Sequence, residues 1–269
     1  MPPRLPTVFV SHGAPSLVLE KDDPTHRFLI ELGRTLPRPK AMVCVSAHWE
    51  SPRSRVTAHP RPPTIHDFVG FPDELYQMRY PAPGAPELAR TVCHLLELSG
   101  LDPSLLDEER GLDHGAWVPL SLMYPAADIP VIQVSVQTAA GPRHHLKIRR
   151  ALEPLRDQET LILGSGGATH NLREVGRWDG QDAPAAPPSY VRDFDGWLHQ
   201  SISEGNLEAL LDYRRVAPDA TPNHPTEEHF LPLFVPLETV GGDARGSAFI
   251  AVSPTASCRW RLMAGGLSF

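Results

Sequence analysis

The chain carries 13 histidines in 269 residues, against only 5 Met and 5 Tyr. Several of these histidines share a local setting: a short apolar run, a small residue, then His. They are His12 after Val8-Phe9-Val10-Ser11, His48 after Val43-Cys44-Val45-Ser46-Ala47, and His170 after Leu161-Ile162-Leu163 and the turn to Ala168-Thr169. His114, in Gly111-Leu112-Asp113-His114-Gly115, reads as a fourth of the same kind. In an open α/β sheet, ligands bind in the crevice beyond the carboxyl ends of the strands. One histidine at such an end is usually a satisfied polar cap. Several in the same topological position point to a metal or to catalysis. His229, in His224-Pro225-Thr226-Glu227-Glu228-His229-Phe230, is a fifth candidate. Pro225 suits a first helical turn. That predicts His229 near a helix N-terminus, where the positive end of the dipole disfavours imidazolium. Glu227 and Glu228 then read as first-turn acids serving the same dipole. Imidazole ligation without thiolates suits Zn, Fe, Cu or Ni rather than Mg or Ca. The chain has no HExxH, no CxxC, no HxE followed by PCxxC and no GxSxG. Gly164-Ser165-Gly166-Gly167 lacks the third glycine of GxGxxG and the lysine of a P-loop, and reads as a tight turn carrying the chain toward His170.

The elements that would position these residues are legible as apolar runs alternating with amphipathic stretches. Thr7–Val10, Ala41–Val45, Ile129–Val136 and Thr160–Leu163 read as buried strands, with a late strand over Ser247–Val252. Helical patterns cover Pro24–Leu36, Pro86–Leu98, Pro142–Leu155 and Tyr190–Ser201. The alternation predicts an α/β fold, a single domain over residues 1–269, with a central mixed, largely parallel sheet and helices on both faces. Proline is about twice its usual ~5% share, with 30 residues. It concentrates in connections such as His59–Tyr80, which holds Pro60, Pro62, Pro63 and Pro72. Long Pro-rich loops in compact domains usually serve function. Asp179–Ser189 reads as a surface loop.

Composition excludes several classes. With 41% apolar and 21% charged residues, the chain is neither disordered nor a coiled coil. Lys+Arg 25 against Asp+Glu 32 gives a net charge of −7, which argues against nucleic acid or an anionic membrane as partner. No apolar run of ~18 residues could span a bilayer, and MPPRLPTVFV is not a signal peptide. Cys44, Cys93 and Cys258 are odd in number and lack CxxC spacing. Cys44 reads as a buried small hydrophobe, and a reducing cytoplasm is the expected compartment. A monomer or small homo-oligomer is expected.

Seven motifs in order then define a resemblance: His12-Gly13-Ala14-Pro15; Ser46-Ala47-His48-Trp49; Thr64-Ile65-His66-Asp67-Phe68-x-Gly70-Phe71-Pro72; Tyr80-Pro81-Ala82-Pro83-Gly84; Asp113-His114-Gly115-x-Trp117; Thr169-His170-Asn171-Leu172; and Thr226-x-x-His229-x-Leu231-Pro232-Leu233. Together, over about residues 7 to 263, they resemble the 4,5-DOPA extradiol dioxygenase family, a branch of the class III extradiol ring-cleavage dioxygenases. The resemblance implies an oxidoreductase that opens a catechol with O2 on Fe(II) to a muconic semialdehyde. It implies His12, His48 and His229 as metal ligands, and His170 as acid/base or a further ligand. His114 would lie near the oxygen and substrate positions. The wider class holds iron with two histidines and one carboxylate, whereas the third position here is His229. A three-histidine site of this kind also admits Zn(II) during isolation.

Other readings stay open at this level. His66 is either a substrate contact or a loop-ordering hydrogen bond. Tyr80 is a substrate contact or a buried core residue. His224 is a substrate-side residue, a partner that orients His229, or a solvated side chain. Arg79 and Arg173 are candidates for a substrate carboxylate. His26, His59, His94, His144, His145 and His199 are expected on the surface. An alternative class is a zinc-dependent hydrolase in which His170 acts on a metal-bound water. A non-catalytic binding protein of the same fold is the third reading.

Overall fold

The computed structural model describes residues 4–102, 104–174 and 187–237, together with the backbone of 248–251. Seven strands form one sheet: β1 (Thr7–Ser11), β2 (Ala41–Glu50), β3 (Arg55–Thr57), β4 (Leu105–Asp107), β5 (Val131–Val136), β6 (Thr160–Gly166) and β7 (Ala248–Ala251). Their order is β4-β3-β5-β2-β6-β1-β7. Every pairing is parallel except β3 with β5, which meet antiparallel at Val56 and Val134. The sheet is therefore mixed and largely parallel, as the alternating pattern predicts.

β1, β5 and β6 are buried at every position. Sheets covered on both faces need such continuous apolar runs. Side chains alternate between the faces. Phe9, Val43, Val45, Ile132, Val134 and Ile162 enter one core with α3 (Pro86–Leu98), α5 (Gly141–Leu152) and α6 (Ser189–Ser203). Val8, Val10, Met42, Cys44, Leu161 and Leu163 enter the other core with α1 (Pro24–Thr35) and α4 (His114–Met123). A single turn of helix, α2 (Asp73–Gln77), interrupts the Pro-rich loop. Helices thus cover both faces. Among the described residues no helix is long and apolar enough to cross a membrane.

The four expected helices form with small changes in their ends. Asp23 caps α1 by accepting from the Thr25 amide at 2.6 Å, and Pro24 fills the first position. The stretch expected as Pro142–Leu155 stops being α-helical at Leu152 and tightens into a 3-10 segment over Glu153–Gln158. Pro154 explains the change, because it cannot donate the next helical hydrogen bond. Among the elements additional to the expectation are β3, β4 and α4. β3 and β4 are three residues each, too short to show a period. α4 is buried all round except at Ser121, so it lacks the amphipathic stripe that marks a surface helix. The late strand forms over Ala248–Ala251; residues 247 and 252, Cys258 and most of the 179–189 loop lie outside the described residues.

Candidate metal centre

β2, β6 and β1 are adjacent, and their carboxyl ends place His12, His48 and His170 above one stretch of sheet. His12 directly follows β1, and its amide donates to Gly166 O at 3.1 Å. His48 lies inside β2 where the pairing with β5 slips between Val45↔Val134 and Glu50↔Val136. Such bulges bend a strand and re-aim its side chains. Gly115 leaves room for this: a Cβ there would collide with Ser46 Oγ and His48 Cδ2.

His229 joins from the other side of the crevice. No helix begins at Pro225, contrary to the expectation; residues 225–230 run through bends and turns into a 3-10 segment, Leu231–Phe234. The physical reason is local. Pro232 cannot donate to a preceding turn and disfavours helical backbone at Leu231. Glu228 is drawn aside by Thr226 Oγ1 at 2.9 Å and His229 Nδ1 at 3.0 Å. The dipole argument for a neutral His229 falls away with the helix, as does the first-turn reading of the two glutamates. Glu227 instead accepts from Tyr213 Oη at 2.8 Å. The His229 carbonyl accepts from Gly167 N at 2.8 Å, an approach that only a glycine at 166 permits.

The Nε2 atoms of the three histidines converge. His48 Nε2 lies 3.0 Å from His12 Nε2 and 3.3 Å from His229 Nε2. Each Nδ1 faces outward to a polar neighbour: Ser165 Oγ at 3.0 Å for His12, Glu228 Oε1 at 3.0 Å for His229, and Asp67 Oδ2 at 3.5 Å for His48. Ser165 Oγ donates its own proton to Gly115 O, so it accepts from His12 Nδ1–H. With acceptors at Nδ1, the protons sit there and three Nε2 lone pairs point at one another. That arrangement is repulsive unless a cation lies between them, and outer acceptors of this kind orient histidines on metals. Burial, then His48 and His229, press the His12 pKa well below 6.5; burial, then His114 and His229, press His48 to about 2 against the pull of Asp67. Both are neutral, the state a metal requires.

Two more histidines border this cluster. His114 is not at a strand end, as expected, but is the first residue of α4, where Asp113 is the N-cap. Its ring centroid lies 3.8 Å from that of His48 and 5.5 Å from that of His12. His170 stacks on His229 with centroids 3.3 Å apart and planes within 6°. Burial, with His229 next and Glu228 opposing, lowers its pKa to about 3, so it does not titrate near neutrality as an ordinary imidazole would.

The remaining candidates fall around or behind the cluster. His66 Nε2 donates to Met78 O at 3.1 Å, and its ring lies among Phe68, Tyr76 and Trp117. Tyr80 is buried in the core, with its hydroxyl donating to Tyr124 O at 3.1 Å. His224 is fully buried among Phe194, Tyr213 and Phe230, bonded to Ala168 O at 2.9 Å rather than to His229. It braces the turn leading to His170 from behind. Arg79 is tied to Tyr76 O and Met78 O, both at 2.8 Å. His26 and His145, expected on the surface, are buried.

The sequence reading passed over four residues that hold the cluster together. Asp113 is fully buried and accepts from Ser46 Oγ at 2.6 Å, Gln133 Nε2 at 2.8 Å and Arg110 Nη2 at 3.0 Å. Arg110 also donates to the His48 carbonyl at 3.1 Å. Asp67 touches both His48 and His114. An Asp placed just before a helix could have flagged Asp113; nothing local marks Arg110 or Gln133.

A family model for the catalytic LigB subunit of aromatic ring-opening dioxygenase matches residues 6–257. The chain belongs to this LigB family. Its relatives include a 4,5-DOPA dioxygenase extradiol from Beta vulgaris, 42% identical over 241 residues that cover 89% of this chain and 88% of that protein. A protein of the same name from Escherichia coli strain K12 is 42% identical over 239 residues, covering 87% and 84%. A crystal structure of an uncharacterized E. coli K12 protein superposes with a TM-score of 0.72 at 34% identity, covering 89% of this chain and 91% of that one. The LigB chain is thus an enzyme of the extradiol aromatic ring-opening dioxygenase type. Its imidazole cluster is the metal-binding candidate that the family requires.

Proposed function

We propose that this LigB enzyme is an Fe(II)-dependent extradiol dioxygenase that opens a catechol of the DOPA type with O2 to a muconic semialdehyde. The observation that carries the reading is the convergence of three Nε2 atoms, each on a histidine whose other nitrogen faces an outer acceptor or carboxylate. His12, His48 and His229 are the ligands on this reading, and their donor set fits Fe(II) and Zn(II) alike. Only iron supplies the one-electron chemistry needed to couple a closed-shell catechol to O2, whereas zinc has none.

The protein residues then divide the work. His170, stacked on His229 at the edge of the cluster, is on this reading the base for a catechol hydroxyl proton and returns that proton as acid later in the cycle. His114 hydrogen-bonds oxygen or substrate beside His48. Phe68, with its ring edge-on to His114 at 5.8 Å, is placed to flank a flat aromatic substrate. His66 and Tyr80 act at one remove, His66 by holding the loop that carries Phe68 and Tyr80 by packing beneath it. The zinc hydrolase reading uses the same histidines with a water in place of the catechol.

Oxygen uptake decides between the two. Metal-free protein is loaded anaerobically with Fe(II) and then given L-DOPA and simple catechols in air, with absorbance followed in parallel. One O2 consumed per catechol with a yellow product is the expected result. Bound Fe(II) without oxygen uptake from any catechol in the panel would overturn the proposal.

A further inference from the structure

We propose that Asp67 is a positioning residue that couples the metal to the substrate side of the site, by holding His48 and His114 with one carboxylate. The inference rests on the reading of His48 as a metal ligand and of His114 as a residue facing oxygen or substrate. Asp67 Oδ1 accepts from the His114 amide at 2.9 Å and lies 3.0 Å from His114 Nδ1. The other oxygen, Oδ2, lies 3.5 Å from His48 Nδ1. Among the described residues the other carboxylates near the cluster do not link His48 to His114: Glu228 lies beside His229 and His170, and Asp113 serves Ser46, Arg110 and Gln133.

The Pro-rich loop that delivers Asp67 is pinned to the segment leading to His114. Thr64 pairs with Leu112; Ile65 N donates to Leu112 O at 2.8 Å, and Leu112 N to Pro63 O at 2.8 Å. Trp117 Nε1, one turn into α4, donates to Ile65 O at 2.9 Å. The carboxylate therefore follows two residues after a segment pinned at Pro63, Thr64 and Ile65.

Two consequences follow from the chemistry. A carboxylate beside Nδ1 favours the proton there on both rings, the tautomer that leaves Nε2 of His48 for the metal and Nε2 of His114 as an acceptor toward the crevice side. It also returns negative charge to a centre whose three direct ligands are neutral. The backbone contact with the His114 amide survives in Asp67→Asn, whose side-chain oxygen can still accept it.

The test compares wild type with Asp67→Asn, which keeps the shape and removes the charge, with Asp67→Ser as a second variant. Metal-free proteins are titrated with Zn(II) against a chromophoric chelator, and His48→Ala is run in parallel. Asp67→Asn is expected to weaken Zn(II) binding about 10–100-fold, with the melting temperature of the metal-free protein nearly unchanged. In the Fe(II) enzyme, kcat should fall with Asp67→Asn in the wild-type background but much less in a His114→Ala background, because the two residues act as one unit. Unchanged Zn(II) affinity in both Asp67 variants, with affinity lost in His48→Ala, would overturn the role of Asp67 and leave the ligand reading intact. Additive losses of kcat would also overturn it. Zn(II) affinity retained in His48→Ala would show that the ligand reading itself has failed, and the proposal with it.

Discussion

Two groups of buried histidines sit within one fold and are wired differently. His26, His145 and His224 lie in the packed layers, and each hands a ring proton to a backbone carbonyl: Leu17 O at 2.9 Å, Gly141 O at 2.8 Å and Ala168 O at 2.9 Å. His145 is satisfied at both nitrogens, since its Nε2 accepts from Gln137 N at 3.3 Å. The histidines at the carboxyl ends of β1 and β2 and in the turn at 229 instead spend their outward nitrogens on side-chain acceptors and turn the inner ones on each other. Burial and a lowered pKa occur in both groups. Neither property marks function. What separates the groups is convergence: the inner nitrogens of His12, His48 and His229 face one another, whereas His145 Nε2 meets a backbone amide and His224 Nδ1 has no hydrogen-bond partner among the described residues.

The largest effect that would sharpen this contrast falls on His170, which belongs to the site but stacks on a candidate ligand rather than pointing into the cluster. His170→Ala should leave bound metal in place and lower turnover about 10²–10⁴-fold, the usual worth of a positioned acid/base group. Metal analysis beside steady-state rates checks it. Loss of metal together with turnover would move His170 into the ligand set.

A smaller effect is expected in the structural group, and its sign follows from linkage. The His145 pKa is lowered from 6.5 to about 4 by burial, so the unfolded chain takes up a proton on this ring before the native state does. Its contribution to stability is therefore complete above about pH 6.5 and is lost as pH falls toward 4. The loss amounts to roughly 3 kcal/mol at the low end. Melting temperatures across this window should fall more steeply for wild type than for His145→Gln. Parallel curves would mean that the buried ring takes up its proton without cost.

The same contrast explains what could be read from the sequence. The sheet and four helices were legible because fully buried strands leave continuous apolar runs and surface helices leave stripes. α4 left no stripe, since it is apolar on every side, and this hid the true setting of His114 at a helix start. The positions of His12, His48 and His170 followed from strand ends, which are local features. The turn at His229 has a local cause, in Pro232 and the contacts of Glu228 with Thr226 and His229, that the helix reading of Pro225 overrode; the buried state of His26 and His145 depends on packing between distant segments, and one-dimensional spacing carries no trace of it. Asp67 was visible only as part of a motif; its contact with two rings arises because the Pro-rich loop folds against residues 111–117.

The central claim is that convergence, not burial, defines the metal site. Its most direct test is metal retention after anaerobic loading with Fe(II) and extensive dialysis, measured for single alanine variants of both groups. His12→Ala, His48→Ala and His229→Ala should each lose the ion, whereas His26→Ala, His145→Ala and His224→Ala that remain folded should hold it in wild-type amount. Full occupancy in any of the first three, or loss of the ion from a folded variant of the second group, would contradict the account.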